Sequence, residues 1–141
     1  MISSNYSDIF PLLTKTLSGA DKAGSLEEFF GKKEIKTIYD LALQSSNIKA
    51  FVNLEQIHKH LPENVSTFDT INDKSSFRLQ EIVDDAPYSR DYVKKMNTKN
   101  YSYKFFPKGW NNNTFHDCLI FDNTIAIIKV EQGNLKGVLV Q

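Results

Sequence analysis

A strand followed at once by an amphipathic helix, near residue 30, is the feature that most restricts how this chain can fold. The segment SLEEFF, residues 25–30, is predicted to be a short strand. Gly31 interrupts it, and a helix is predicted over Lys33–Ser45 because its apolar residues recur on one helical face: Ile35, Ile38, Tyr39 and Ala42. A helix with one apolar face needs another layer of structure to cover that face.

A second strand and a second helix follow directly. NIKAFVN, residues 47–53, alternates between two faces, as a strand does. Asn53 and Gln56 have the spacing of a capping box, which predicts a short helix through His60, and Pro62 ends it. The order strand, helix, strand, helix predicts an α/β unit with parallel strands and a right-handed crossover.

The middle of the chain predicts one more strand and helix. Residues 63–76 are polar and rich in turn-forming residues, so we expect a loop there. FRLQEIVDD, residues 77–85, alternates as a strand. Asp84 or Asp85 is then expected to cap a helix with Pro87 in its first turn. One stripe of that helix carries Tyr88, Tyr92 and Met96.

The last third of the chain predicts strands joined by short turns. In FHDCLIFDNTIAIIKV, residues 115–130, the apolar runs Cys118–Phe121 and Ile125–Ile128 are separated by Asp122-Asn123-Thr124, which predicts a hairpin. YSYKFFP before it and LKGVLVQ after it predict further strands. If LKGVLVQ were uncovered, it would be an unpaired sheet edge, which favours self-association as an alternative function.

Composition restricts the class of protein. A length of 141 residues fits one domain, and we expect a helical arm over residues 1–24 and an α/β domain over residues 25–141. Lys plus Arg and Asp plus Glu number 17 each, which disfavours direct nucleic acid binding by this chain. Neither a signal peptide nor a membrane span is predicted, and the single cysteine, Cys118, is compatible with a cytoplasmic protein.

Five strings in order resemble the C-terminal effector-binding domain of TrmB-like sugar-sensing transcriptional regulators. The strings are FFGKKEIKTIYDLAL, NIKAFVN, FRLQEIVDDAPYSRDYVKKM, YSYKFFP and FHDCLIFDNTIAIIKVEQGNLKGVLV, and they span roughly residues 26–140. The resemblance implies a single phospholipase D-like unit: a mixed, mostly parallel sheet flanked by helices. Those regulators carry a winged helix-turn-helix before this domain and add an aromatic-anchored helix after its last strand. Here about 25 residues precede the first predicted strand.

Phospholipase D-like enzymes use a His-x-Lys-x-x-x-x-Asp motif, and this chain lacks it. If Asp122 is matched to the motif's aspartate, Phe115 and Asp117 stand in place of histidine and lysine. If His116 is matched instead, Cys118 and Asn123 replace lysine and aspartate. Neither an acid nor a thiol neutralises a phosphate as lysine does. We therefore predict no catalytic residues and no enzyme activity, with a diverged phosphodiesterase as a further alternative.

Neither a metal site nor a cofactor site is predicted. His58 and His60 are two residues apart, which places them on different sides of a helix, whereas a helical metal pair is four apart. The glycines form neither a phosphate-binding loop nor a dinucleotide-binding fingerprint.

Ligand-binding residues are predicted from topology. In open α/β sheets, pockets lie beyond the carboxyl ends of parallel strands, which nominates Asn53, Asp84, Asp85 and the loop around Trp110. The mouth of the hairpin adds His116 and Asp117. Aromatic residues nearby suit a sugar or another small metabolite.

These observations favour a ligand-sensing regulatory domain. Its expected partners are a sugar or metabolite effector and either a second copy in a homodimer or an attached or associated DNA-binding module. Its expected mechanism is a ligand-dependent shift between conformations, which is transmitted to the DNA-binding module.

Overall fold

The computed structural model describes residues 24–62, 76–96, 99–107 and 116–141. Its strands and helices follow the order that the sequence predicts, and their bounds are β1 Leu26–Phe30, α1 Gly31–Ala42, β2 Asn47–Val52, α2 Leu54–His60, β3 Arg78–Val83, α3 Pro87–Lys95, β4 Tyr101–Phe105, β5 Asp117–Phe121, β6 Thr124–Glu131 and β7 Asn134–Val140. Residues 1–23 of the predicted arm and most of the predicted loop over 63–76 lie outside the described residues.

The junction of β1 and α1 shows how the local sequence sets a boundary. Gly31 has a φ of +82°, a left-handed conformation that glycine adopts at little cost, so the chain turns from strand to helix there. The Phe30 amide donates to Oε2 of Glu34 at 2.6 Å, which satisfies a donor just before the first turn. The helix ends at Ala42 with Leu43 as its C-cap, earlier than the predicted Ser45.

A seven-stranded sheet joins all strands of the described residues, in the order β1-β7-β6-β5-β2-β3-β4. Only β2 with β3 and β3 with β4 pair in parallel. The other four pairings are antiparallel. The α/β class is confirmed, but the prediction of a mostly parallel sheet is wrong. Consecutive strands from β5 to β7 are joined by turns too short for a parallel crossover, so they pair as antiparallel hairpins.

The predicted pairing of the first two strands is also wrong. β1 and β2 stand apart, because β5, β6 and β7 lie between them. The first parallel pair along the chain is instead β2 with β3.

The last strand is interior. β7 pairs with β6 on one side and with β1 on the other, so the predicted unpaired edge at LKGVLVQ is wrong. Within the described residues the outer strands of the sheet are β1 and β4. The hairpin of β5 and β6 is confirmed, although Thr124 belongs to β6, opposite Phe121, and not to the turn.

The hydrophobic core lies between one face of the sheet and the three helices of the described residues. α1 contributes Ile35, Ile38, Tyr39 and Ala42, as predicted, while α2 contributes Leu54 and Ile57, and α3 contributes Tyr92 and Val93. They pack with inward-facing strand residues that include Ile48, Leu79, Leu119 and Ile128. We name the opposite side of the sheet the open face.

Candidate functional site

Three of the predicted ligand-binding residues meet at one edge of the sheet, at the carboxyl ends of β2 and β3. The Asn53 amide donates to the carbonyl of His116 at 2.8 Å, and the Asp84 amide donates to the carbonyl of Val52 at 3.2 Å. β5 runs antiparallel to β2, so its first residue lies beside the last residue of β2. Asn53 and Asp84 thus lie where the topological prediction placed them, and His116, nominated from the hairpin, joins them through the antiparallel pairing of β5 with β2.

The side chains of Asn53 and Asp84 already hold the backbone. Asn53 Oδ1 accepts from the Gln56 amide at 3.1 Å, which is the predicted cap of α2. Asp84 Oδ1 accepts from the Leu54 amide at 2.8 Å and from the Ser89 hydroxyl at 2.6 Å. The prediction that Asp84 or Asp85 caps α3 is wrong, since the N-cap is Ala86 and makes no side-chain cap. Asp84 satisfies a free amide of α2 instead and ties that helix to α3.

Asp85 lies apart from this edge, on the surface. Its carboxylate accepts from Nε of Arg90 at 2.5 Å and from Nη2 at 3.0 Å. The Arg90 guanidinium holds the pKa of this exposed carboxyl below its usual range. Trp110 lies outside the described residues.

His116 has a defined tautomer. Its Nδ1 accepts from the Val130 amide at 3.0 Å, so in the neutral ring the proton is on Nε2. Burial lowers the pKa of His116, and the charges of His60 and Lys129 lower it further. A second imidazole and a lysine are therefore close to His116, although sequence spacing gave no sign of this.

Asp117 turns away from that edge and into the core. It is 3% exposed, and Oδ2 accepts from the Tyr39 hydroxyl at 2.6 Å. Oδ1 makes no hydrogen bond among the described residues. Burial raises the pKa of Asp117 to about 7, even though the Tyr39 hydroxyl and the Cys118 amide act in the opposite direction. Burial and the nearby carboxylates raise the pKa of Tyr39 well above its ordinary value.

This pair lines a small cavity of about 30 Å³ together with Glu81, which is also buried. The volume suits one water molecule and is far below that of a metabolite. Sequence reasoning missed the Tyr39 contact. One signal was present, because Asp117 alternates in phase with the buried residues Leu119 and Phe121.

The larger concavity lies on the open face of the sheet, over β2, β3, β4 and β5, and we name it the open-face cleft. It has a volume of about 360 Å³, within the range of small-molecule sites. The side chains that point into it from the open face are Lys49, Phe51, Gln80, Ile82, Ser102, Lys104 and Ile120. The three apolar ones are half-buried, and the lysine, amide and hydroxyl groups are exposed. None of these seven residues was predicted as a site residue.

The described residues contain neither a group of side chains arranged to bind a metal ion nor a helix able to span a membrane. No group of three or more His, Cys, Asp or Glu side chains there is arranged to hold a metal ion. No helix in the described ranges has both the length and the apolar composition needed to cross a membrane.

No protein-family model matches this chain, and no curated protein matches it either. Among solved structures, it is similar to TrmBL2, described as an archaeal chromatin protein that shows a novel mode of DNA binding. The match covers 99% of this chain and 55% of that chain, at 10% identity and a TM-score of 0.44. The chain thus spans about half the length of TrmBL2.

Proposed function

We propose that this chain is a non-enzymatic regulatory domain that binds a small metabolite in the open-face cleft. The observation that carries the proposal is the composition of the cleft: an apolar floor of Phe51, Ile82 and Ile120 bordered by polar groups. An apolar surface suits the C–H face of a sugar ring, while amide and hydroxyl groups fix its orientation. Two lysines, Lys49 and Lys104, favour a ligand that also carries a negative charge, such as a sugar acid.

The regulatory step would be a shift in conformation on binding. The cleft spans β2, β3 and β5, whose other face packs against the helices in the core. A ligand that binds one arrangement of these strands more tightly shifts the population toward it. We propose that an attached or associated DNA-binding module, or a second copy of the chain, responds to that shift.

The test is a thermal-shift and calorimetry screen against neutral sugars, sugar acids and other small carboxylates. A ligand at about 100 times its Kd adds about 2.7 kcal/mol to the free energy of unfolding. Ser102→Phe fills the cleft and is expected to abolish that stabilisation. Lys36→Phe places the same ring on the exposed side of α1 and is expected to leave it unchanged. If no compound at millimolar concentration stabilises the protein, the proposal fails.

Self-association through the last strand required β7 to have an unpaired edge, but β7 is paired on both sides. A diverged phosphodiesterase is the remaining alternative, since His60 and Lys129 lie near His116. Its test is a hydrolysis assay on a phosphodiester such as bis-(p-nitrophenyl) phosphate. Activity that disappears in His116→Ala would favour it over the regulatory domain.

A further inference from the structure

A buried lysine lies on the open face, outside the open-face cleft. The side chain of Lys129, on β6, is only 9% exposed. Its partner in ion pairing is Glu131, with Nζ and Oε1 4.0 Å apart, at the outer limit for such a contact. Glu131 is half-exposed and also lies 3.9 Å from Nζ of Lys136, the residue opposite Lys129 on β7. One exposed carboxylate thus serves two ammonium groups.

This arrangement leaves Lys129 poorly neutralised. Removing an ammonium group from water is costly unless a close partner with opposite charge and hydrogen bonds compensates. A contact of 4.0 Å with an exposed carboxylate contributes little, because water screens it. The lysine would be more stable with an additional anion close to Nζ.

Two imidazoles lie near the same place. His116 binds the amide of Val130, the residue next to Lys129, and its pKa is lowered by burial and by the charges of His60 and Lys129. We name His60, His116 and Lys129 the basic cluster. Because Nδ1 of His116 accepts a hydrogen bond, Nε2 is a donor whether the ring is neutral or charged.

We propose that the basic cluster binds a phosphate group, with Lys129 Nζ as the charged donor and His116 Nε2–H as a second donor. A phosphate matches the cluster better than a carboxylate, because its larger number of acceptor oxygens lets it accept from both donors at once and its negative charge neutralises the ammonium group. This site is separate from the open-face cleft and does not depend on the proposed function. The phosphate is either free inorganic phosphate or part of a phosphorylated metabolite.

The experiment is an NMR titration of the histidine rings in the full chain with inorganic phosphate at constant ionic strength, with sodium chloride as the control salt. We expect saturable shifts for His116 and a rise in its pKa of about 1 unit, since a nearby anion stabilises the imidazolium. His58, which stacks on Tyr88 at 4.8 Å between ring centroids, is the internal reference and is expected to stay constant.

Two lysine variants test whether Lys129 is responsible for phosphate binding. Lys129→Gln is expected to weaken phosphate binding at least tenfold, whereas Lys36→Gln, on the exposed side of α1, leaves it unchanged. NMR shifts of His116 that do not saturate with phosphate, or shifts of His58 as large as those of His116, would overturn the proposal. The titration of the wild-type protein is enough to show either result. Tighter binding of hexose 6-phosphate than of inorganic phosphate identifies a metabolite as the source, and equal affinity identifies free phosphate. A Ser102→Phe chain that loses cleft binding still gives the His116 titration if the basic cluster is a phosphate site.

Discussion

The hydroxyl of Tyr39 donates a 2.6 Å hydrogen bond to Oδ2 of Asp117, a residue 78 positions later in the chain. Tyr39 lies on the buried face of α1, and Asp117 is the first residue of β5. The contact ties the helix to β5 through two side chains that are both buried. A polar pair at such a place affects stability strongly, because a buried carboxyl that loses its hydrogen-bond donor keeps its desolvation cost.

Replacing Tyr39 by phenylalanine is expected to lower the free energy of unfolding by about 1–3 kcal/mol, since the Asp117 carboxyl loses its donor in the core. Urea denaturation measures the change. Tyr103→Phe is the matched control, because Tyr103 is 39% exposed and loss of its hydroxyl is expected to change stability by less than about 0.5 kcal/mol. Equal effects of the two variants would show that the buried bond contributes little.

Stability is also expected to depend on pH through Asp117. Its pKa rises from 3.8 in the unfolded chain to about 7 in the folded protein, so the folded protein binds the proton more tightly. The contribution of protonated Asp117 to the free energy of unfolding is therefore fully present below pH 3.8, and it is lost as the pH rises to about 7. His116 acts in the opposite direction, because its pKa is lowered on folding.

The difference between wild type and Asp117→Asn isolates the carboxyl. The amide cannot ionise, so this variant is expected to gain stability relative to wild type between pH 4 and pH 8, by up to about 4 kcal/mol. Urea denaturation at half-unit pH intervals gives the two curves. Parallel curves across this range would mean that Asp117 titrates in the folded protein as it does in the unfolded chain.

Two adjacent aspartates are expected to behave differently. Asp84→Ala removes the acceptor for the Leu54 amide and the Ser89 hydroxyl, and we expect a loss of about 1–3 kcal/mol. Asp85→Ala breaks only an exposed pair with Arg90, and we expect stability to stay close to that of wild type because water screens such a pair. Thermal and urea unfolding measure the stability of both variants. Asp84→Asn keeps an acceptor oxygen, and its partial recovery of stability would identify hydrogen bonding as the cause.

Cys118 is expected to be unreactive in the folded protein. Burial, aided by the charge of Asp117, raises the pKa of its thiol to about 12, so only about one molecule in ten thousand carries the thiolate at pH 8. Labelling with a disulfide reagent is expected to be slow without denaturant and fast in urea. Complete labelling of the native protein within seconds would contradict the raised pKa of this half-buried thiol.

Gly137 on β7 marks the closest approach of the sheet to α1. A Cβ added there would lie 2.6 Å from Cδ1 of Ile35 and 3.0 Å from Cδ1 of Ile38. Gly137→Ala is expected to destabilise the protein by about 1–3 kcal/mol through overpacking. Adding Ile35→Val removes the nearer methyl group, so the double variant is expected to lose less than the sum of the two single changes. Additive losses would show that the helix moves away without strain.

Local patterns predicted the order of elements well, because strands and helices here carry clear alternation or a clear apolar face, as in α1 and β3. They could not predict which strands pair. The position of β7 between β1 and β6 depends on contacts between distant residues that local periodicity does not encode. This is why the sheet was expected to be mostly parallel and the last strand to be an edge.

Only some of the candidate site residues were predicted from the sequence, because local patterns reveal where strands end but not which strands pair. Topology placed Asn53 and Asp84 at the same end of the sheet, since that inference needs only the ends of parallel strands. His116 joins them through the antiparallel pairing of β5 with β2, which the strand-end argument does not include. The open-face cleft was missed because its residues, such as Gln80 and Ser102, look like ordinary solvent-facing positions of a strand. Lys129 was missed because a lysine within an apolar strand gives no sequence sign of its depth or of the imidazoles beside it.

The pairing of β1 with β7 has a consequence for synthesis on the ribosome. Ser25 and Gln141 exchange two backbone hydrogen bonds of 3.0 Å, so the two ends of the sheet-forming segment are held side by side. Among the strands of the described residues, β1 leaves the ribosome first, and its partner β7 is made last. A nascent chain that stops before residue 134 therefore has no partner strand for β1, and this pairing must wait for β7 to emerge.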